Sequence, residues 1–165
     1  MKKNIKISKI VVIFSLLLYL ILLTWIIVFK FRLDFSSLKY IRSINLIPFK
    51  ANGVVNGIKE TLINLLLFVP FGMYLQFIMK DKNFKLLLIL FLSVLYEILQ
   101  YILHIGVSDI TDVIMNSMGG IIGIFFMMIL YKILMKKIDS KKINIILGYI
   151  SIFIPISIFG MLFFL

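Results

Sequence analysis

Five long apolar runs set the limits on this fold: Ile10–Phe29, Leu62–Met79, Leu86–Leu103, Val113–Tyr131 and Ile143–Leu165. About 20 apolar residues suffice for a helix to cross the hydrocarbon of a bilayer, and inside hydrocarbon a helix satisfies its own backbone. Read as spans, the runs use nearly all of the 165 residues and leave no room for a separate soluble domain. Composition agrees. The chain is 62% hydrophobic and 15% charged, with mean hydropathy +1.15, against soluble averages of about 45–50% apolar and about 25% charged. The expected architecture is a single domain over 1–165, an all-α integral membrane protein of five transmembrane helices.

The first run is preceded by Lys2, Lys3, Lys6 and Lys9, as in a secretion signal. It is long enough to span, and Lys30-Phe31-Arg32-Leu33 stands where a small-residue cleavage site would be needed. We read it as a retained signal anchor. Orientation follows from the lysines and arginines flanking the spans, short loops weighing most. The N-terminal segment, Lys80, Lys82 and Lys85, and Lys132, Lys136, Lys137, Lys141 and Lys142 fall on one side. The opposite side holds only Lys30, Arg32, Lys39, Arg42, Lys50 and Lys59, all in the long loop 30–61. The N-terminus is therefore expected in the cytoplasm, with an extracytoplasmic loop between the first and second spans. Short connections at 80–85, 104–112 and 132–142 predict that consecutive helices pack as antiparallel neighbours.

The net charge of +11 would suggest nucleic acid in a soluble chain, but these bases lie between apolar runs, where they orient spans and meet anionic headgroups. Nucleic acid is not an expected partner; membrane lipid is. The bases of the long loop have two readings: snorkelling and headgroup contact, or recognition of an anionic ligand by Arg32, Arg42 and Lys50. The absence of cysteine removes disulfides, thiolate nucleophiles and Cys-based zinc sites. His104 is the sole histidine and cannot build a His-rich metal site alone. No GxSxG turn is present for a serine nucleophile.

Against this background the polar residues stand out. Glu97, Gln100, Asp109, Asp112 and Asn116 fall in one short stretch, at the outer ends of the third and fourth spans. An ionisable side chain at a helix centre costs roughly 2.5–3.5 kcal/mol on insertion scales, so an intramembrane carboxylate marks a candidate site. Glu97 and Gln100 share a helix face at i, i+3, and Asp112 stacks over Asn116 at i, i+4. Asn64 adds an amide at similar depth, and Ser43–Phe49 is apolar with a central proline, suiting an interfacial or re-entrant stretch. Asp109 or Asp112 also reads simply as a helix cap, with Ser108 or Thr111 as alternatives. Glu97, mid-helix, asks for a partner or a wet cavity. Carboxylates with amides suit a divalent cation, Mg²⁺ or Ca²⁺, at Glu97, Asp109 and Asp112, or acid/base work, and neither spacing is diagnostic. Pro70 should kink the second span, and Gly119, Gly120 and Gly123 permit close helix approach, within the chain or in a dimer.

Taken in order, these residues resemble a known family. Asn45-Leu46-Ile47-Pro48-Phe49, Asn64 through Val69-Pro70-Phe71-Gly72, then Ser93, Glu97 and Gln100, and finally Asp109-Ile110-Thr111-Asp112 through Asn116, Gly119 and Gly120 look like the VanZ-like family. The likeness runs from about Leu16 to about Tyr131. It implies a small bacterial membrane protein of the cell envelope, in a family without an agreed biochemical activity whose name-giving member is associated with resistance to the lipoglycopeptide teicoplanin. Many relatives carry an arginine shortly before the aspartate pair; Ile105-Gly106-Val107 occupies that place here, so no role for that arginine is carried over. The branch with Ile-Gly before Asp-Ile-Thr-Asp looks closest to the resistance proteins.

The resulting expectation is a plasma-membrane protein that lowers susceptibility to teicoplanin-type drugs. Its outer-leaflet site, Asn45, Asn64, Glu97, Gln100, Asp109, Asp112 and Asn116, would engage a lipid-linked wall precursor or the lipoglycopeptide itself. The alternatives are a membrane enzyme modifying a lipid or lipid-linked sugar, and a structural partner of another membrane protein that uses Gly119 and Gly123. The oligomeric state is open.

Overall fold

The computed structural model describes residues 2–29, 41–49, 54–136 and 138–162. Along them run α1 (Lys2–Phe29), β1 (Ile41–Asn45), α2 (Val54–Ile78), α3 (Lys82–Leu103), β2 (Ile105–Asp109), α4 (Ile110–Leu134), α5 (Ser140–Ile150) and α6 (Phe153–Leu162). Five stretches are long and apolar enough to cross a membrane: Ile7–Phe29, Thr61–Ile78, Lys82–Leu103, Ile110–Leu134 and Ser140–Ile158. The expected spans are therefore present, with two changes at the ends. α2 begins at Val54, inside what the sequence suggested was loop, and the last span breaks at Ser151-Ile152 into α5 and α6.

That break has a chemical cause. Pro155 has no N–H to give the carbonyl of Ser151 four residues earlier. The Tyr74 hydroxyl donates to that oxygen at 2.8 Å, beside the Ile154 N–H at 3.3 Å, tying the break to α2. Pro70, by contrast, does not interrupt α2. The Tyr19 hydroxyl donates to the neighbouring carbonyl of Leu67, so α1 supplies polar support at that turn.

The closest packing is not between consecutive helices. α2 and α4 run parallel and in contact along most of their length, because glycines strip the surface between them. A Cβ on Gly119 would stand 2.0 Å from the Leu65 oxygen, one on Gly123 1.9 Å from the Val69 oxygen, and one on Gly72 1.9 Å from the Gly120 oxygen. The small-residue spacing thus serves packing within the chain. α3 and α4 do pack as the antiparallel neighbours expected, and α1 lies against α2, α3, α5 and α6.

α1 turns Ser8, Val12, Ser15, Tyr19 and Leu23 inward, one stripe at helical spacing. Around it gather Phe68, Phe71 and Tyr74 from α2 and Ile89 and Tyr96 from α3. Phe68 meets Tyr96 edge to face at 6.1 Å. Large apolar side chains such as Phe14, Ile21, Leu66, Phe91, Phe125 and Ile129 remain exposed, as expected of a surface solvated by lipid.

At one end of the bundle β1 and β2 form a two-stranded parallel sheet, with Asn45 opposite Asp109. This β end carries the C-termini of α1 and α3 and the N-termini of α2 and α4; the opposite end carries most of the lysines. The connection expected as a short turn is therefore a strand, entered through His104, whose φ of 55° lets α3 stop and the chain reverse.

Candidate functional site

The site is built where the α3–α4 connection meets the first loop. Asp109 ends β2 and caps α4: its Oδ1 accepts from the Thr111 N–H at 2.8 Å. Its Oδ2 accepts from Asn45 Nδ2 at 2.9 Å, and Asn45 Oδ1 in turn accepts from the Ile47 N–H at 3.2 Å. Thr111 Oγ1 accepts from the Phe49 N–H at 3.0 Å. Three side chains thus clamp the first loop onto the start of α4.

Glu97 holds the same connection from below. Only 7% exposed, it accepts the Asp109 N–H on Oε2 at 2.8 Å, while Ser108 Oγ donates to the Glu97 carbonyl at 2.8 Å. The expectation that Glu97 needs a partner is met by the backbone amide of Asp109. One turn further, Gln100 gives its Nε2 hydrogen to the Ile27 carbonyl at 2.9 Å. That oxygen lies in the last turn of α1, where helix carbonyls lack an intrahelical donor.

Asp112 sits half-buried in the first turn of α4, where the helix dipole favours a carboxylate. Asn116, one turn deeper, is wholly buried, and neither its Nδ2 nor its Oδ1 has a hydrogen-bond partner. The Oε1 of Gln100 and the Oγ of Ser117 are buried and unpaired as well. Asn64 is half-buried within α2, ten residues after the helix start rather than at it. Arg32 and Lys50 lie outside the described residues; Arg42 is placed by its backbone, opposite Gly106 in the sheet, with its side chain outside them.

Of the expected set, Asn45, Glu97 and Asp109 meet directly. Gln100, Asp112 and Asn116 lie along the same α3–α4 region, and Asn64 belongs to the adjoining α2. Both oxygens of Asp109 and one of Glu97 are held by N–H donors, an arrangement that fixes the connection in place. Among the described residues no three His, Cys, Asp or Glu side chains form a group that could hold a metal ion.

Sequence reasoning missed a second polar layer toward the middle of the bundle. Tyr96 and Thr24 hydroxyls meet at 3.1 Å, and the Tyr19 and Tyr74 rings lie 5.7 Å apart. Near the lysine-rich end Lys85 is 4% exposed and donates to Gln76 Oε1 at 2.5 Å, a buried position no hydropathy count foresees. The detectable signal for the tyrosine layer is the i, i+4, i+7, i+11 spacing of Ser8, Val12, Ser15 and Tyr19 along α1.

The comparisons with known proteins give the family. The VanZ/LLP1 family profile matches residues 16–133, which reach from α1 to the end of α4 and include the whole β end. Protein VanZ of Enterococcus faecium is 37% identical over 141 residues, covering 83% of each chain. No solved structure matches the chain. With a family profile spanning most of its length and a relative this similar, the chain belongs to the VanZ/LLP1 family.

Proposed function

We propose that this protein lowers susceptibility to teicoplanin-type lipoglycopeptides, acting at the β end of the bundle from the outer leaflet of the bacterial plasma membrane. The reading rests on family membership and on one observation above others, the Asn45–Asp109 clamp, which gathers the polar residues of two connections at a single bundle end. That end carries fewer bases than the other, so the positive-inside rule supports an outward orientation. Its ligand is a lipid-linked wall precursor or the lipid-anchored drug. Asn45, Glu97 and Asp109 shape the site, Asn64, Gln100, Asp112 and Asn116 offer hydrogen bonds within it, and Arg32, Arg42 and Lys50 contact phosphate or carboxylate above it. A divalent cation at Glu97, Asp109 or Asp112 would share these carboxylates with ligand oxygens.

Susceptibility assays in a sensitive host, with membrane expression verified, test the reading. Wild-type chain should raise the teicoplanin concentration needed to stop growth, and Asn45→Ala and Asp112→Asn should lower it again. Unchanged protection in both variants removes the β end from the mechanism. Repeating the assay with a chelator reads any contribution of a cation.

A further inference from the structure

Among the described residues, buried polar side chains are satisfied with one regional exception. Ser8, Ser15, Lys85, Ser93, Ser108, Thr111 and Ser151 all have hydrogen-bond partners. The unpaired side-chain atoms of Gln100, Asn116 and Ser117 belong to α3 and α4, beneath the strand pair. Asn116 is the extreme case, with 0% exposure and both amide atoms idle. Where no water competes, such a group is costly to keep unless something else satisfies it. An apolar side chain of similar volume would avoid that cost, so the amide burdens the resting fold.

Its neighbours place it within the bundle. Ser93, Glu97 and Gln100 are buried on one face of α3, at i, i+4 and i+7. Ser93 Oγ reaches the Val113 carbonyl at 3.3 Å, three residues before Asn116, and Gly119 abuts the Leu65 carbonyl three residues after it. Asn116 therefore lies where α4 meets α2 and α3, about 10 Å below Asp109 at ~1.5 Å per residue. One turn deeper Ile89 fills the space over Gly120.

Resting on the function proposed above, we propose that Asn116 is the floor of the ligand site and takes a neutral hydroxyl or amide group of the ligand when the β1–β2 clamp opens. The idle atoms decide the chemistry. On Asn116 the Oδ1 accepts and the Nδ2 donates. A sugar hydroxyl or a peptide amide, which gives and takes hydrogens, fits this inventory. A phosphodiester does not, since it only accepts and would leave the Asn116 Oδ1 without a donor. Both candidate ligands, the wall precursor and the glycopeptide, carry the fitting groups.

The cysteine-free chain makes the test direct. Purified single-cysteine variants Asn116→Cys and Ile124→Cys, the latter on the same helix, 7% exposed and among apolar neighbours, are treated with a charged methanethiosulfonate. Cysteine at 116 should react roughly ten-fold faster, corresponding to about 1.4 kcal/mol easier opening. Slowing by teicoplanin or by a soluble disaccharide-peptide wall fragment identifies the source of the ligand. Equal rates at 116 and 124 overturn the proposal. Asn116→Leu should melt no lower than wild type and yet lose protection against teicoplanin. A lower melting point would assign the amide to the fold, and full protection would show it idle; either result also overturns it. Should the wild-type chain itself give no protection, the function proposed above falls, while the labelling rates still decide whether Asn116 can be reached.

Discussion

At the scale of single residues the acidic groups were easy to find and hard to interpret. Sequence alone flagged Glu97 because a carboxylate is expensive in a membrane, and it flagged Asp109 and Asp112 as either ligands or caps. Which of these a carboxylate becomes depends on where an N–H points, and that is set by the chain reversal at His104, which hydropathy does not encode. The structure makes Asp109 a cap and clamp and makes Glu97 the acceptor of its N–H. This predicts a difference between two substitutions. Glu97→Gln keeps an oxygen for the Asp109 N–H and should unfold close to wild type in detergent. Glu97→Leu strands that N–H and should lose about 1–3 kcal/mol, the usual cost of a donor left without its acceptor. Equal melting of the two variants would mean the carboxylate does not hold the connection.

At the scale of elements, the apolar runs predicted four spans nearly as they stand, and the fifth only in outline. Pro155 was visible, but its consequence was not, because the hydroxyl that answers it comes from Tyr74, far away in sequence. The glycines behaved similarly: their spacing announced a close approach, while the partner, α2 rather than a second chain, depended on the tertiary arrangement. The Tyr74–Pro155 relationship is testable as a coupling. Tyr74→Phe should cost about 0.5–1.5 kcal/mol by removing the shorter of the two hydrogen bonds to the Ser151 carbonyl. Pro155→Ala supplies a backbone N–H that can serve the same oxygen, so in that background the loss from Tyr74→Phe should shrink. Strict additivity in thermal unfolding of the double variant would separate the tyrosine from the break.

At the scale of the whole molecule, the orientation and the site are one question, because the parallel strand pair obliges the first loop and the α3–α4 connection to share a membrane face. Sequence could place the two segments on one side by counting spans, yet nothing in hydropathy says that they touch. The contact lies in main-chain pairing between residues more than sixty positions apart, with Ser43 opposite Val107 and both exposed. Cysteines at these positions should fall within the 4.4–6.8 Å Cα separation that a disulfide bridges. Ser43→Cys with Val107→Cys should therefore cross-link under mild oxidation, whereas Ser43→Cys with Lys136→Cys, at the lysine-rich end, should not. Applied to intact cells, an impermeant thiol reagent should modify the single cysteine at 107 and spare the one at 136. Cross-linking with the opposite labelling pattern would keep the fold and turn the bundle over, moving the clamp, Asn116 and every polar group between them to the cytoplasmic face, where a drug acting from outside could not reach them.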